Sequence, residues 1–407
     1  MLTLPAKQKT TTPPGESPPV VPALEAVGGI RFDFNDGLRV SFPADCADVS
    51  CRFIDLDAHQ VIGRHDAVPG KSIATTKKYF IRHRLEVTKD GKLVFAHDFN
   101  AKGRDVLVRV CPGAIGDAIA FFPSVAAFGK KHRCRLHVCM DRRVAAILSG
   151  QYPDIAFITP EQAEAGTFYA SYRVGLFWGD RDNSCQPVDF RQCSLLEQAA
   201  NILGVKPLEN PPVLDLTAPR LIKERYACVA VQSTSKCKTW CNPLGWLEVV
   251  DFLKGAGYRV LCIDKERVYG TGLTHTFMPS GVEDFTGSLP LQERVNLIKD
   301  ADFMVGLPSG LSWQAWACRV PVVMVGGFSL PMTEFKTPYR VINYNACHGC
   351  WNDAACSFDH DDYTWCPRHH GDNRQWECTR LISSLQVINA IRRIPAFRQS
   401  QKERKAQ

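Results

Sequence analysis

The 407-residue chain has no apolar run long enough to cross a bilayer, where a helix needs about 20 such residues. Met1 to Pro19 is polar and proline-rich without an apolar h-region, so a secretory signal is not expected there. There is no repeat at a solenoid period, which excludes a stacked-repeat architecture. A dense basic stripe is also missing. The formal net charge is +7, and part of it gathers at Arg392, Arg393, Arg398, Lys402, Arg404 and Lys405. Such a balance suits an anionic small molecule or an acidic partner and falls short of a dedicated nucleic-acid binder. What the chain has in quantity is cysteine, seventeen residues, which without a secretory route points to a reducing cytoplasm. With 45% hydrophobic and 22% charged residues it has the composition of a soluble globular protein, and its length suggests about two to three domains.

The expected organisation has six parts. Residues 1–28 read as disordered, rich in Thr, Pro and Ser up to about Pro22. Residues 29–102 carry short alternating runs around Phe32, Val40, Ile81 and Phe95, with Asn35-Asp36-Gly37 and Lys89-Asp90-Gly91 between such runs as hairpin turns, and predict a small antiparallel β-domain. From Gly103 the rhythm changes to strand then helix, once over 103–225 and again over 226–340. Two such series predict two doubly wound parallel sheets, an α/β fold, facing each other across a cleft at the strands' carboxyl ends. The stretch from Glu161 to Pro219 gives no regular pattern. A cysteine-rich segment over 341–380 and a helix with a basic tail over 381–407 complete the chain; sequence leaves open whether Leu381 to Ile394 packs back on the sheets or mediates assembly.

Chemistry is expected at the strand ends. Gly113-Ala114-Ile115-Gly116-Asp117 follows the first strand of the first series, with glycines suited to a tight turn and close backbone approach to a ligand. Asp117 then stands at the start of a helix, either as its cap or as a base for an incoming hydroxyl. Ser235 and Lys238 follow the first strand of the second series and suit a pyrophosphate, with solvated loop lysines as the alternative. Asp264 ends the next strand, where it would receive a ribose hydroxyl or stand as an ordinary loop acid. Ser309-Gly310-Leu311-Ser312 leads into a helix N-terminus, whose N–H groups and positive dipole end favour an anion.

Cys347, Cys350, Cys366 and Cys378 form C-x2-C-x15-C-x11-C, a spacing able to complete a tetrahedral metal site. The surrounding segment has little aliphatic content and needs such a staple. Cys356, His348, His369 and His370 are competing ligands; ligand chemistry favours zinc, and tetrahedral sulfur also suits iron. A closed four-thiolate site leaves no open position for substrate. Cys237 and Cys241 read as free thiols.

Gly116-Asp117, Lys238-Thr239-Trp240 and Pro308-Ser309-Gly310-Leu311-Ser312, in this order, resemble the heptosyltransferase superfamily of GT-B glycosyltransferases. The leading β-domain and the cysteine spacing are similar to the bacterial autotransporter heptosyltransferase branch, over roughly Ile30 to Ile394. Lipopolysaccharide heptosyltransferases typically carry Asp and His where Pro308 and Trp313 stand, which favours the protein-modifying branch. The resemblance implies ADP-glycero-manno-heptose as donor, held by Ala114, Ile115, Gly116, Ser235, Lys238, Asp264 and Ser309 to Ser312. It further implies Asp117 as base toward a serine of an autotransporter passenger, inversion in a single displacement, iron on the four cysteines and a large homo-oligomer. No nucleic acid and no membrane span are expected. The competing readings are a GT-B enzyme with another nucleotide sugar or a glycan acceptor, and, from another class, a metal-ribbon nucleic-acid binder; the segment's many acids beside only Arg368 and Arg374 oppose the latter.

Overall fold

A computed structural model describes residues 21–359 and 361–406. Residues 1–20 of the segment read as disordered lie outside it. The remainder of that segment is ordered earlier than expected: Leu24–Glu25 pairs antiparallel with Phe32 and Arg31, so the β-domain begins before residue 29. The chain divides into two compact units.

Among the described residues, the first unit comprises 21–34, Leu38–Thr75 and Arg82–Phe99. It contains an antiparallel four-stranded sheet in the order Gln60–Asp66, Val49–Asp55, His83–Lys89, Lys92–Asp98. Asp90 and Gly91 both take positive φ, 50° and 74°, between the paired Lys89 and Lys92, as a two-residue turn matched to strand twist requires. Phe32, Phe34, Val40, Phe53, Leu85 and Val87 are buried, each on the inward face of an alternating strand. Asp33 is buried with them and accepts two hydrogen bonds from Arg39, at 2.8 and 2.6 Å, which keeps that charge compensated.

The second unit holds both parallel sheets. In the first, Ile155–Phe157, Arg135–Cys139, Asp105–Val110 and Ala170–Val174 lie side by side. In the second the order is Glu283–Asp284, Arg259–Cys262, Tyr226–Val229, Phe303–Gly306, Val322–Val325, Arg340–Val341. Tyr226–Val229, Phe303–Gly306 and Val322–Val325 are buried at every position, which explains their uninterrupted apolar sequence. A hairpin of Val268–Thr271 and Thr274–Phe277, unanticipated from sequence, is inserted after Arg259–Cys262.

The C-terminal segment packs back on the second sheet. Helices Ser384–Arg392 and Pro395–Ala406 pack on the second sheet's core through Val387, Ile391, Ile394 and Phe397. The supposed basic tail is thus a helix, with Arg225 hydrogen-bonded to Glu403 at 2.6 Å.

The two sheets' helices meet at glycine. A Cβ on Gly116, in helix Ile115–His132, would come within 2.6 Å of Trp313 Cδ1 and 3.3 Å of Gly310 Cα, in helix Gly310–Ala317. Gly113 and Gly116 are absent from the positive-φ residues, so tight turning is not their role here. Gly116 instead permits close contact between helices of the two halves.

Candidate active site

A cleft of about 790 Å³ is lined by segments that follow the carboxyl ends of six parallel strands. Cys111 to Asp117 and Gly175 to Trp178 come from the first sheet. Gln232 to Thr234 with Lys238, Asp264 with Lys265, Pro308 to Leu311, and Phe328 come from the second. A parallel sheet leaves its strand-end loops free to diverge, and the two sheets bring theirs together.

Asp117 occupies the third position of helix Ile115–His132, and its Oδ2 accepts from the Ala114 N–H at 3.4 Å. That single long contact caps the helix and leaves the carboxylate further acceptor positions. Burial pushes the Asp117 carboxyl above its ordinary value, opposed by the Lys238 charge and the Ala114 N–H. A raised carboxylate is a better proton acceptor.

Lys238 closes the short helical turn Lys236–Lys238. Its ammonium lies 5.4 Å from the Phe328 ring centroid, 5.6 Å from Trp351 and 5.8 Å from Phe358. Of the other cleft cations, Arg143 pairs with Asp141 at 2.7 Å and Lys265 approaches Glu266 at 3.8 Å. Lys238 has no carboxylate within ion-pair distance among the described residues. Trp240, two residues on, is buried and donates to the Ile382 carbonyl at 2.9 Å, which fastens the loop to the C-terminal segment.

Ser309 stands at the N-cap of helix Gly310–Ala317, its side chain makes no bond to the helix backbone, and its hydroxyl has no partner among the described residues. The first N–H groups of a helix have no intrahelical acceptor. Ser309, Gly310 and Leu311 line the cleft, as do Ala114, Ile115 and Gly116.

Three expected donor residues are placed differently. Ser235 is buried outside the cleft wall, its hydroxyl 3.1 Å from Cys237 Sγ; its neighbours Ser233 and Thr234 face the cleft instead. Ser312 is fully buried and donates to the Leu307 carbonyl at 2.6 Å, bracing the turn that presents Ser309. Asp264 reaches the cleft wall but accepts from the Val231 and Gln232 N–H groups at 2.7 and 3.2 Å. It ties two strand ends together, with each carboxylate oxygen accepting one backbone N–H.

Cys347, Cys350, Cys366 and Cys378 line one small cavity of about 10 Å³, the space of a single ion or water. Backbone N–H groups of His369 and Trp376 address the Cys366 sulfur, and Arg368 lies 3.8 Å from Cys347 Sγ. Such donors suit sulfurs that carry charge, so the residues fit a metal. Among the described residues, the group whose ligand atoms all lie within 4.8 Å of one another is Cys347, His369 and Glu377. Glu377 is less available, since it accepts from the Cys347 N–H at 2.8 Å and from Arg374 at 2.6 Å. Cys356 and His348 turn to Asp353 and the Ala346 carbonyl. Cys237 lines the same cavity, although its spacing gave no sign of it. Trp178, Phe328, Trp351 and Phe358 were likewise missed; aromatic residues scattered over nearly 200 positions carry no local signal.

Comparison with known proteins agrees with this geometry. The family described as glycosyltransferase TibC, N-terminal domain, matches residues 27–91. The chain is 46% identical to the autotransporter heptosyltransferase TibC of Escherichia coli, with 93% of each chain covered. It is 40% identical to the inactive autotransporter heptosyltransferase BimC of Burkholderia thailandensis, over 97% of this chain and 92% of that one. Among solved structures, the dodecameric iron-containing heptosyltransferase TibC from E. coli, in complex with ADP-D-beta-D-heptose, superposes with a TM-score of 0.90 at 45% identity, covering 95% of this chain and all of that one.

Proposed function

This chain belongs to the autotransporter heptosyltransferases, GT-B glycosyltransferases, and on that footing we propose that it moves heptose from ADP-glycero-manno-heptose to serine hydroxyls of an autotransporter passenger. One relative is named inactive, so family membership does not by itself carry the activity; the cleft must. The observation that carries the proposal is Lys238, a cation without a carboxylate partner among the described residues, in one cleft with Asp117 and a helix N-terminus.

Asp117 takes the proton from the serine hydroxyl as its oxygen attacks the anomeric carbon. A hydroxyl is a weak nucleophile at neutral pH, and a positioned base contributes about 10²–10⁴-fold. The bond to the diphosphate breaks as the new bond forms, so the sugar inverts. Negative charge then grows on ADP, where Lys238 and the N–H groups of Gly310 and Leu311 stabilise it. The four cysteines would hold an iron ion, as the iron-containing relative supports, and a closed thiolate site supplies structure alone. Homo-oligomeric assembly is supported by that relative's dodecamer. A bacterial cytoplasmic location is supported by all seventeen cysteines being unpaired, and no helix is long and apolar enough to cross a membrane.

The test is Asp117→Ala in cells that also express a candidate passenger, read by intact mass for added heptose, with ADP binding measured by calorimetry. Loss of transfer with ADP binding kept is expected. Near-normal transfer would remove Asp117 from the role of base.

A further inference from the structure

We infer that the cysteine-rich segment serves the donor site by fixing Lys238: its Trp351 and Phe358 close, with Phe328, a box of three aromatic rings that holds the ammonium in place for a diphosphate. The inference rests on the proposed function for the identity of the donor, and it gives the cysteine-rich segment a task beyond holding its own fold.

The geometry has two strands. First, the three ring centroids lie 5.4 to 5.8 Å from Lys238 Nζ, within the range of cation–π attraction. Trp351 directly follows Cys350, and Phe358 packs on Trp351 at 5.8 Å. Trp365, which directly precedes Cys366, braces Phe328 at 5.8 Å and Phe358 at 4.8 Å. Second, the lysine's own backbone is anchored there, because Cys237 is buried in the wall of the thiol cavity. The rings and the loop that presents the lysine therefore hang on one cavity.

A carboxylate would hold Lys238 as firmly, but it would compete with the phosphate for the ammonium's hydrogen-bond donors. Ring faces attract the charge and leave those N–H groups to the ligand. A lysine that must give up its rotamer freedom on binding loses about tenfold in affinity relative to one already held. That factor is what the box contributes.

The test is ADP affinity by calorimetry on the full-length protein, with metal content measured on each sample. Trp351→Leu with metal retained is expected to weaken ADP about tenfold, and Trp351→Phe to restore most of it. In a Lys238→Met background, Trp351→Leu is expected to add nothing. Phe358→Leu, farther along the chain from the four cysteines, serves as the second variant with the same expectation. Unchanged affinity in Trp351→Leu and Phe358→Leu, or an equal loss with and without Lys238, overturns the inference. Pyrophosphate is the second probe. If the wild-type protein failed to bind ADP, the donor assignment would fall, while the pyrophosphate series would still read the box.

Discussion

Gly116→Ala adds one methyl where the two halves of the catalytic unit touch. The new Cβ would lie 2.6 Å from Trp313 Cδ1, 3.2 Å from its Cγ and 3.3 Å from Gly310 Cα. Ordinary carbon contacts sit at about 3.5–4.0 Å, so the neighbours must retreat by about 1 Å. Trp313 has little room to do so: it is 2% exposed, with the Phe335 and Trp316 rings at 5.0 and 5.3 Å. Strain then passes to the backbones of helices Ile115–His132 and Gly310–Ala317, one carrying Asp117 and the other the Ser309-Gly310-Leu311 turn. Overpacking of this kind costs about 1–3 kcal/mol in stability. The kinetic effect is of similar size, because a displacement of about 1 Å between reacting groups costs on the order of 10²-fold, about 2.7 kcal/mol. Expected, then, is a fall in kcat of about 10²-fold, with unfolding lowered by about 1–3 kcal/mol. Trp313→Leu in the Gly116→Ala background removes the obstructing ring and should recover part of the rate. Transfer kinetics with purified passenger and urea denaturation read both quantities. A rate for Gly116→Ala within twofold of wild type would refute the reasoning.

Four further outcomes follow from named groups. Asp117 must be ionised to act, and burial raises its pKa, so kcat/KM should fall with decreasing pH at a higher pH than an ordinary carboxylate gives. Lys238→Met removes an opposing charge, and the acid limb should move further up; a downward shift would contradict the assignment. His83 is buried, with neither ring nitrogen partnered among the described residues, and burial lowers its pKa from 6.5 to about 4 against the pull of Asp55. The unfolded chain binds that proton more readily, so stability present above about pH 6.5 is lost as pH falls toward 4, by up to about 3 kcal/mol. Urea midpoints across that range should fall less steeply for His83→Leu than for wild type, and parallel curves would exclude His83. Phe397→Ala should cost about 3–5 kcal/mol, since the ring is buried 5.5 Å from Phe252 and 5.8 Å from Tyr258; a loss below about 1 kcal/mol would mean the last helix is dispensable to the domain.

Local chemistry made some of this legible in sequence. Asp90-Gly91 reads as a turn because two adjacent residues there take positive φ. Tyr226–Val229 and Phe303–Gly306 read as strands because central parallel strands are apolar on both faces. Ala170–Val174 escaped notice because Ala, Ser and Arg dilute the strand signal, although its buried and half-buried positions alternate. Asp117 and Ser309 are legible as residues near helix starts, since strand-end loops lead there. That Ser235 and Ser312 turn away from the cleft is not legible, because which side of a turn a hydroxyl faces depends on the fold of that turn.

By itself the sequence determined the two strand–helix series, the family, the cysteine spacing and the polar residues at the strand ends. These follow from short-range rules: period, turn chemistry and motif spacing. The tertiary structure alone decided that Gly116 and Gly310 meet across the two halves, that Asp264 is spent on backbone N–H groups, and that Lys238 lies among rings from distant segments. The physical reason is that packing, burial and ring-face attraction act through space, between residues whose separation along the chain carries no record of their contact.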